Sequence, residues 1–131
     1  MNELWFGLML NTGLLAGLLF LQPAVRVMMR GSAYALGNLD IREDEGIFAS
    51  RLEMVKSNQI EAVALLIPVV LYLQAMSITG SLVTTAIYTH VVARLLYIAV
   101  ALAGIPMVRS LIWLVSFAAW AFLAAQGFEI I

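Results

Sequence analysis

The spacing of the charged residues constrains this chain more than any other feature. Residues 4–25, 62–93 and 110–128 contain no Asp, Glu, Lys or Arg, and these runs are 22, 32 and 19 residues long. A helix needs roughly 20 apolar residues to cross a bilayer. The three runs therefore predict membrane-spanning helices, and the second run is long enough to fold back on itself.

Composition agrees with a membrane protein and excludes several other classes. Of the 131 residues, 63% are hydrophobic and 11% are charged, whereas about 25% of a soluble domain is charged. A water-soluble globular protein and a disordered chain are therefore excluded. The net charge of −1 offers no basic surface for nucleic acid. Without cysteine and with a single histidine, the chain is predicted to hold no disulfide and no metal.

A turn divides the long middle run. Gly80 and Ser81 are turn-forming residues near its centre, and each half is long enough to span only if the membrane also takes in Glu61 and Arg94. The sequence thus predicts an all-α integral membrane protein, a four-helix transmembrane bundle in which residues 1–131 form one domain. The predicted helices lie at about 4–28, 57–77, 81–104 and 107–127.

The basic residues predict the orientation of the bundle. They lie on one side, in the loop between Ser32 and Ser50, at the helix ends beside it and in the last hairpin: Arg26, Arg30, Arg42, Arg51, Lys56 and Arg109. Basic residues are enriched in cytoplasmic loops. We therefore expect the long loop in the cytoplasm and both termini on the other side of the membrane.

Several polar side chains are predicted to meet at one depth, near the cytoplasmic third of the bilayer. Arg94 is 13 residues from Ser81 on the third helix, and Glu61 is 16 residues from Ser77 on the second. At about 1.5 Å per residue, the two charges are roughly 20 and 24 Å from the outer turn. We therefore predict that Glu61 and Arg94 are within reach of one another and face protein.

The helical phase of the neighbouring polar residues supports this cluster. His90, Arg94 and Tyr97 follow the spacing i, i+4, i+7 and share one helix face. A second face carries Arg51, Met54, Asn58 and Glu61. One reading is a structural ion pair, with Asn58 bonding across helices. The other is an anion-binding site, because arginines outnumber carboxylates at this depth and guanidinium groups bind carboxylates bidentately.

The same residues carry a family resemblance. Arg51 and the Asn58-x-x-Glu61 pair open the second helix, Ala93-Arg94-Leu95-Leu96-Tyr97 lies in the third, and Gly104-Ile105-Pro106-Met107-Val108-Arg109-Ser110 forms the last hairpin. Together these patterns resemble the MAPEG family, the membrane-associated proteins in eicosanoid and glutathione metabolism. The small size and short loops resemble a bacterial member, which implies a bacterial inner membrane.

The resemblance implies a homotrimer that holds glutathione as co-substrate between subunits, near the cytoplasmic face. It assigns glutathione binding to Arg26, Arg51, Asn58, Glu61, Arg94 and Tyr97, and it assigns the catalytic role to Arg109. A guanidinium beside the thiol favours the nucleophilic thiolate. The expected activity is a glutathione-dependent transferase or peroxidase, whose lipophilic electrophile enters from the bilayer.

The chain departs from the family pattern at three positions. Met54 stands where a second arginine is frequent, Ala62 where Asn or Tyr is common, and Ala101 where a further tyrosine is frequent. The alternative function is therefore a non-catalytic membrane protein that uses the fold for structure or for binding lipid headgroups. A transporter is disfavoured, because four spans contain no pair of broken helices.

Overall fold

Long helices dominate the computed structural model, which describes residues 2–37 and 44–128. The helices are α1 (Glu3–Arg30), α2 (Ser32–Leu36), α3 (Ile47–Ala75), α4 (Ser81–Ala103) and α5 (Pro106–Gly127). All except α2 are long and apolar enough to cross a membrane, which confirms the predicted all-α membrane fold with four spans. Of the basic residues named above, Arg42 lies outside the described residues.

The second membrane-spanning helix, α3, begins about ten residues before its predicted start. It has 29 residues, or about 44 Å at 1.5 Å per residue, which exceeds the roughly 30 Å of hydrocarbon in a bilayer. Hydropathy marks where a helix enters the membrane, whereas the helix itself continues through Arg51 and Lys56, which are good helix formers. The predicted loop between Ser32 and Ser50 accordingly contains α2 and the first residues of α3.

The four spans form a ring in the order α1, α3, α5, α4. The α1 helix packs on α3 and α4, and α5 packs extensively on α4 but only lightly on α3. Within the described residues, no Cα atom of α1 lies within 8 Å of a Cα atom of α5. The light contact between α3 and α5 leaves a groove between these helices, and α4 forms its floor.

The apolar core is divided into two clusters along the bundle axis. One cluster lies toward the outer turn and includes Leu66, Leu73 and Ile87. The other lies toward the long loop and includes Leu52 and Tyr97. On α3 and α4, the residues between the two clusters include Gln59, His90 and Arg94, which are all buried.

Candidate functional site

A layer of buried polar side chains separates the two apolar clusters. Its members come from three helices, and each is at most 3% exposed: Asn11 on α1, Gln59 on α3, and His90 and Arg94 on α4. An ionisable residue inside a membrane span is costly to insert and is by default a candidate for function. The layer therefore defines the candidate site.

Arg94 is held by neutral groups. Its Nε donates to Oε1 of Gln59 at 3.0 Å, and its Nη2 donates to Oδ1 of Asn58 at 2.7 Å. Its Cζ lies 4.7 Å from the ring centroid of Tyr97, which is close enough for a cation–π interaction. Within the described part of the chain, no carboxylate forms an ion pair with this guanidinium, which is 1% exposed.

The predicted ion pair between Glu61 and Arg94 is wrong. The ion pair found among the described residues joins Arg26 and Glu45 instead. Asn58 and Gln59 present their amide oxygens to Arg94, and Glu61 lies further along α3 with an exposed side chain. Glu61 and Arg94 nevertheless line the same cavity.

This cavity is part of a longer depression, here called the α3–α5 groove, which consists of two adjoining hollows. The deeper hollow has a volume of about 180 Å³ and is lined by Asn58, Glu61, Ala62, Leu65, His90, Arg94, Trp113, Ser116, Phe117 and Trp120. The hairpin-side hollow has about 210 Å³ and is lined by Met54, Asn58, Tyr97, Arg109, Ser110 and Trp113. Asn58 and Trp113 line both hollows, so the groove brings five predicted site residues together: Asn58, Glu61, Arg94, Tyr97 and Arg109.

Arg109 enters the groove from the first turn of α5. This helix begins at Pro106, a residue suited to a helical first turn. Nη1 of Arg109 donates to the thioether sulfur of Met54 at 3.2 Å. A thioether is a weak acceptor, so Met54 receives the guanidinium without neutralising its charge. Met54, which stands where the family resemblance leads to an expected arginine, lines the hairpin-side hollow together with Arg109.

Arg26 is not among the residues that line the groove. Its Nε donates to the carboxylate of Glu45, at 3.1 Å and 3.3 Å from the two oxygens. The hydroxyl of Tyr34 donates to the same carboxylate at 2.7 Å. In this chain, Arg26 therefore joins the end of α1 to the residues just before α3.

Arg51 is also placed outside the groove, at the end of α4. Its Nη1 donates to the carbonyl of Leu102 at 3.3 Å. Gly104 ends the helix in the left-handed conformation with φ +83°. A Cβ at Gly104 would lie 2.5 Å from Cζ of Arg51, so the guanidinium packs directly on this glycine. Arg51 thus binds one of the last carbonyls of α4.

The departures Ala62 and Ala101 have different locations. Ala62 lines the deeper hollow, where its small side chain leaves space. Ala101 is 1% exposed and belongs to the loop-side apolar cluster. A tyrosine in place of Ala101 would have to displace this packing.

Gln59 is not among the predicted site residues, although its amide oxygen accepts from Arg94. A usable signal exists, because Leu52, Val55, Gln59 and Leu66 share one buried face of α3. A glutamine on an otherwise apolar face of a spanning helix indicates an interhelical hydrogen bond. Gln59 meets this expectation by donating to the backbone carbonyl of Asn11 at 2.9 Å.

Four membrane-spanning helices around a buried arginine, with a polar groove open to one side, define an all-α membrane bundle with a cationic site. The MAPEG family model matches residues 8–128 of this chain. The chain therefore belongs to the MAPEG family. Comparisons with curated proteins and with solved structures found no match.

Proposed function

We propose that this protein is a glutathione-dependent transferase or peroxidase that acts on lipophilic electrophiles. Membership of the MAPEG family, which includes enzymes of this kind, supports the class of reaction. The observation that carries the proposal is the environment of Arg94. This buried cation lies beside the groove, and its hydrogen-bond partners are neutral amides. Such a site favours an anionic ligand, because a buried charge without a counterion is costly.

The charges along the groove suit the two ends of glutathione. Glutathione carries carboxylates and one ammonium group, so it needs both cationic and anionic partners. Arg94 offers the first, and Glu61 lines the same hollow without an ion pair among the described residues. In the proposal, Arg94 binds a carboxylate, Glu61 binds the ammonium group and Asn58 hydrogen-bonds the peptide.

Arg109 is the proposed catalytic residue. It shares the hairpin-side hollow with Tyr97 and is held there by the weak acceptor Met54. A guanidinium near the thiol stabilises the thiolate. The thiolate attacks an electrophilic carbon, a carbon–sulfur bond forms, and the leaving group departs with its electron pair.

The proposed assembly is a homotrimer in which the groove lies at the subunit boundary, near the cytoplasmic face. The groove is open on one side of the bundle, between α3 and α5. A neighbouring subunit can complete it, and Arg26 and Arg51 remain candidates for binding glutathione in that assembly. A lipophilic substrate would then enter laterally from the bilayer.

Binding and turnover measurements test the proposal. Glutathione is titrated calorimetrically into the purified protein in mild detergent, and conjugation to chlorodinitrobenzene is followed by absorbance. We expect saturable binding and turnover, with weaker binding in Glu61→Gln. Glu53→Gln is the matched control, because Glu53 is an exposed glutamate of α3 that does not line the groove. The absence of both binding and conjugation would overturn the proposal.

The alternative is a non-catalytic membrane protein that uses the MAPEG fold for structure or for lipid headgroups. One observation favours a structural role, since Arg94 already links α4 to α3 through Gln59 and Asn58. In that case, the protein would fail to bind glutathione, and removing Arg94 would affect only stability. Retention of anionic lipid during purification would point to headgroup binding.

A further inference from the structure

The donor-only chemistry of Arg94 fixes the orientation of the amides behind it. A guanidinium has no acceptor, so Gln59 must turn its amide oxygen toward Arg94, as found at 3.0 Å. The amide nitrogen of Gln59 then faces α1. It donates to the backbone carbonyl of Asn11 at 2.9 Å and to Oδ1 of Asn11 at 3.2 Å.

The orientation of the Asn11 amide in turn determines which ring nitrogen of His90 carries the proton. Because Oδ1 of Asn11 accepts from Gln59, its Nδ2 must point the other way, where it donates to the carbonyl of Gly7 at 2.9 Å. The same nitrogen lies 3.4 Å from Nδ1 of His90. A flipped Asn11 would set its oxygen against the carbonyl of Gly7. Nδ1 of His90 therefore accepts, and the proton of a neutral imidazole must lie on Nε2.

The Nε2–H group of His90 faces the groove. His90 lines the deeper hollow and is 3% exposed. Within the described residues, Nε2 has no hydrogen-bond partner, yet no buried side-chain nitrogen or oxygen is left unsatisfied. An Nε2 atom without a partner must therefore be accessible, and the deeper hollow is the cavity that His90 lines.

Besides the guanidinium of Arg94, His90 offers a free donor to the deeper hollow, whereas two neighbouring donors are already engaged. The indole nitrogen of Trp120 donates to the carbonyl of Leu65 at 2.9 Å, and the hydroxyl of Ser116 donates to the carbonyl of Trp113 at 2.8 Å. Leu65, Phe117 and Trp120 line the same hollow and give it an apolar wall. A neutral donor beside this apolar wall suits a lipophilic molecule with one acceptor oxygen.

We propose that Nε2–H of His90 is a binding site for the acceptor oxygen of a lipophilic molecule in the α3–α5 groove. Arg94 and His90 are one helical turn apart, about 6 Å along α4. The ligand class is a carbonyl, epoxide or peroxide with an apolar body. The proposed His90 site is inferred from the hydrogen bonds between Arg94, Gln59, Asn11 and His90, and it does not require glutathione. A negative conjugation assay would therefore contradict the proposed function without contradicting the His90 site.

The first test measures the tautomer directly. His90 is the single histidine of the chain, so protein labelled with ¹⁵N-histidine gives one imidazole spectrum. We expect one protonated and one unprotonated ring nitrogen, with the proton on Nε2. A proton on Nδ1, or on both nitrogens, would overturn the proposal.

The second test measures the donor with a matched pair of probes, benzophenone and diphenylmethane, which differ in the carbonyl oxygen. Quenching of tryptophan fluorescence gives their affinities in detergent. His90→Asn keeps an acceptor for Asn11 but removes the donor at the ε position, whereas His90→Gln keeps a donor there. A neutral hydrogen bond contributes modestly, so we expect benzophenone to bind His90→Asn about fivefold more weakly. Diphenylmethane should bind both variants and wild type equally.

The carbonyl stretch of ¹³C-benzophenone keeps the test decisive if a variant does not fold. Hydrogen bonding lowers this frequency, so we expect a shifted band with wild-type protein and with His90→Gln. In His90→Asn, the band should return to the frequency of benzophenone in empty micelles. An unshifted band with wild-type protein would contradict the donor role, as would equal affinity of the two probes.

Discussion

At the scale of single residues, Arg94 is accommodated inside the membrane span by groups whose energetic roles differ. Gln59 is fully buried and has both of its amide atoms engaged, by Arg94 on one side and Asn11 on the other. Glu61 lines the hollow with an exposed side chain and has no ion pair in the described part of the chain. Stability should therefore depend on Gln59, and ligand affinity on Glu61.

Substitution of Gln59 and of Glu61 should separate these two roles. Gln59→Leu leaves the Nε–H of Arg94 without its acceptor, and we expect it to cost about 1–2 kcal/mol of stability. Glu61→Gln should leave the thermal midpoint unchanged and weaken glutathione binding. Scanning fluorimetry and calorimetric titration of the same preparations measure both quantities. A large loss of stability in Glu61→Gln would contradict this assignment, because it would indicate that Glu61 forms an ion pair with Arg94.

Arg109 should affect turnover more than binding. If its guanidinium stabilises the thiolate in the hairpin-side hollow, Arg109→Ala removes an interaction that develops with the charge on sulfur. We expect the conjugation rate to fall about 10²-fold, with little change in glutathione affinity. Arg109→Lys keeps a positive charge and serves as the matched control. Unchanged turnover in an assembled Arg109→Ala protein would show that Arg109 only anchors the hairpin.

At the scale of elements, the hairpin between α4 and α5 depends on the contact between Gly104 and Arg51. The positive φ of Gly104 is disfavoured for any residue with a Cβ, and the guanidinium of Arg51 occupies the space that a Cβ would need. Arg51 also bonds the carbonyl of Leu102. The hairpin therefore fixes where α5 begins, and with it the position of Arg109.

Gly104→Ala should destabilise the protein for both reasons. The left-handed conformation alone costs roughly 1–2 kcal/mol with an L side chain, and displacement of Arg51 adds to this. In an Arg51→Ala background, the second cost disappears, so the two substitutions should couple by at least about 0.5 kcal/mol. Thermal unfolding of the four proteins in the cycle measures the coupling. Strict additivity would contradict the contact between Gly104 and Arg51.

At the scale of the whole molecule, the bundle leaves much of its apolar surface uncovered within one chain. Of the most apolar stretch in each spanning helix, between 17% and 44% of residues are buried. On α1, Gly7 packs closely on α4, since a Cβ there would overlap the side chain of Ile87. Apart from the local backbone of α1, no atom of the described residues lies within 4 Å of a Cβ position at Gly13 or Gly17. Their small faces are free for lipid or for a neighbouring subunit.

The proposed homotrimer predicts different outcomes for these glycines. Gly7→Ala should lower the stability of the fold itself, whereas Gly17→Leu should leave the helical bundle intact and weaken assembly, if this face lies between subunits. Native mass spectrometry in mild detergent gives the oligomeric state, and circular dichroism gives the fold. A wild-type monomer or dimer would refute the trimer. A stable trimer in Gly17→Leu would place the interface elsewhere.

The charge spacing predicted three uncharged runs, because transferring charged groups into hydrocarbon is costly, and the turn at Gly80 and Ser81 divided the longest run to give four spans. It did not predict the start of α3, because a helix can continue past the membrane surface through Arg51 and Lys56. The phase of His90, Arg94 and Tyr97 predicted one shared face, and all three residues line the groove. Helical geometry fixes such a relation within one element.

Contacts between elements were decided only by the tertiary structure. The sequence predicted that Glu61 would meet Arg94, because charge and depth were the available information. The rotation of α3 instead presents Asn58 and Gln59 to the guanidinium. In the same way, packing between α1 and the residues before α3 paired Arg26 with Glu45. Sequence determines the depth of each polar group through the cost of desolvation, whereas its partner depends on how the helices rotate and pack against one another.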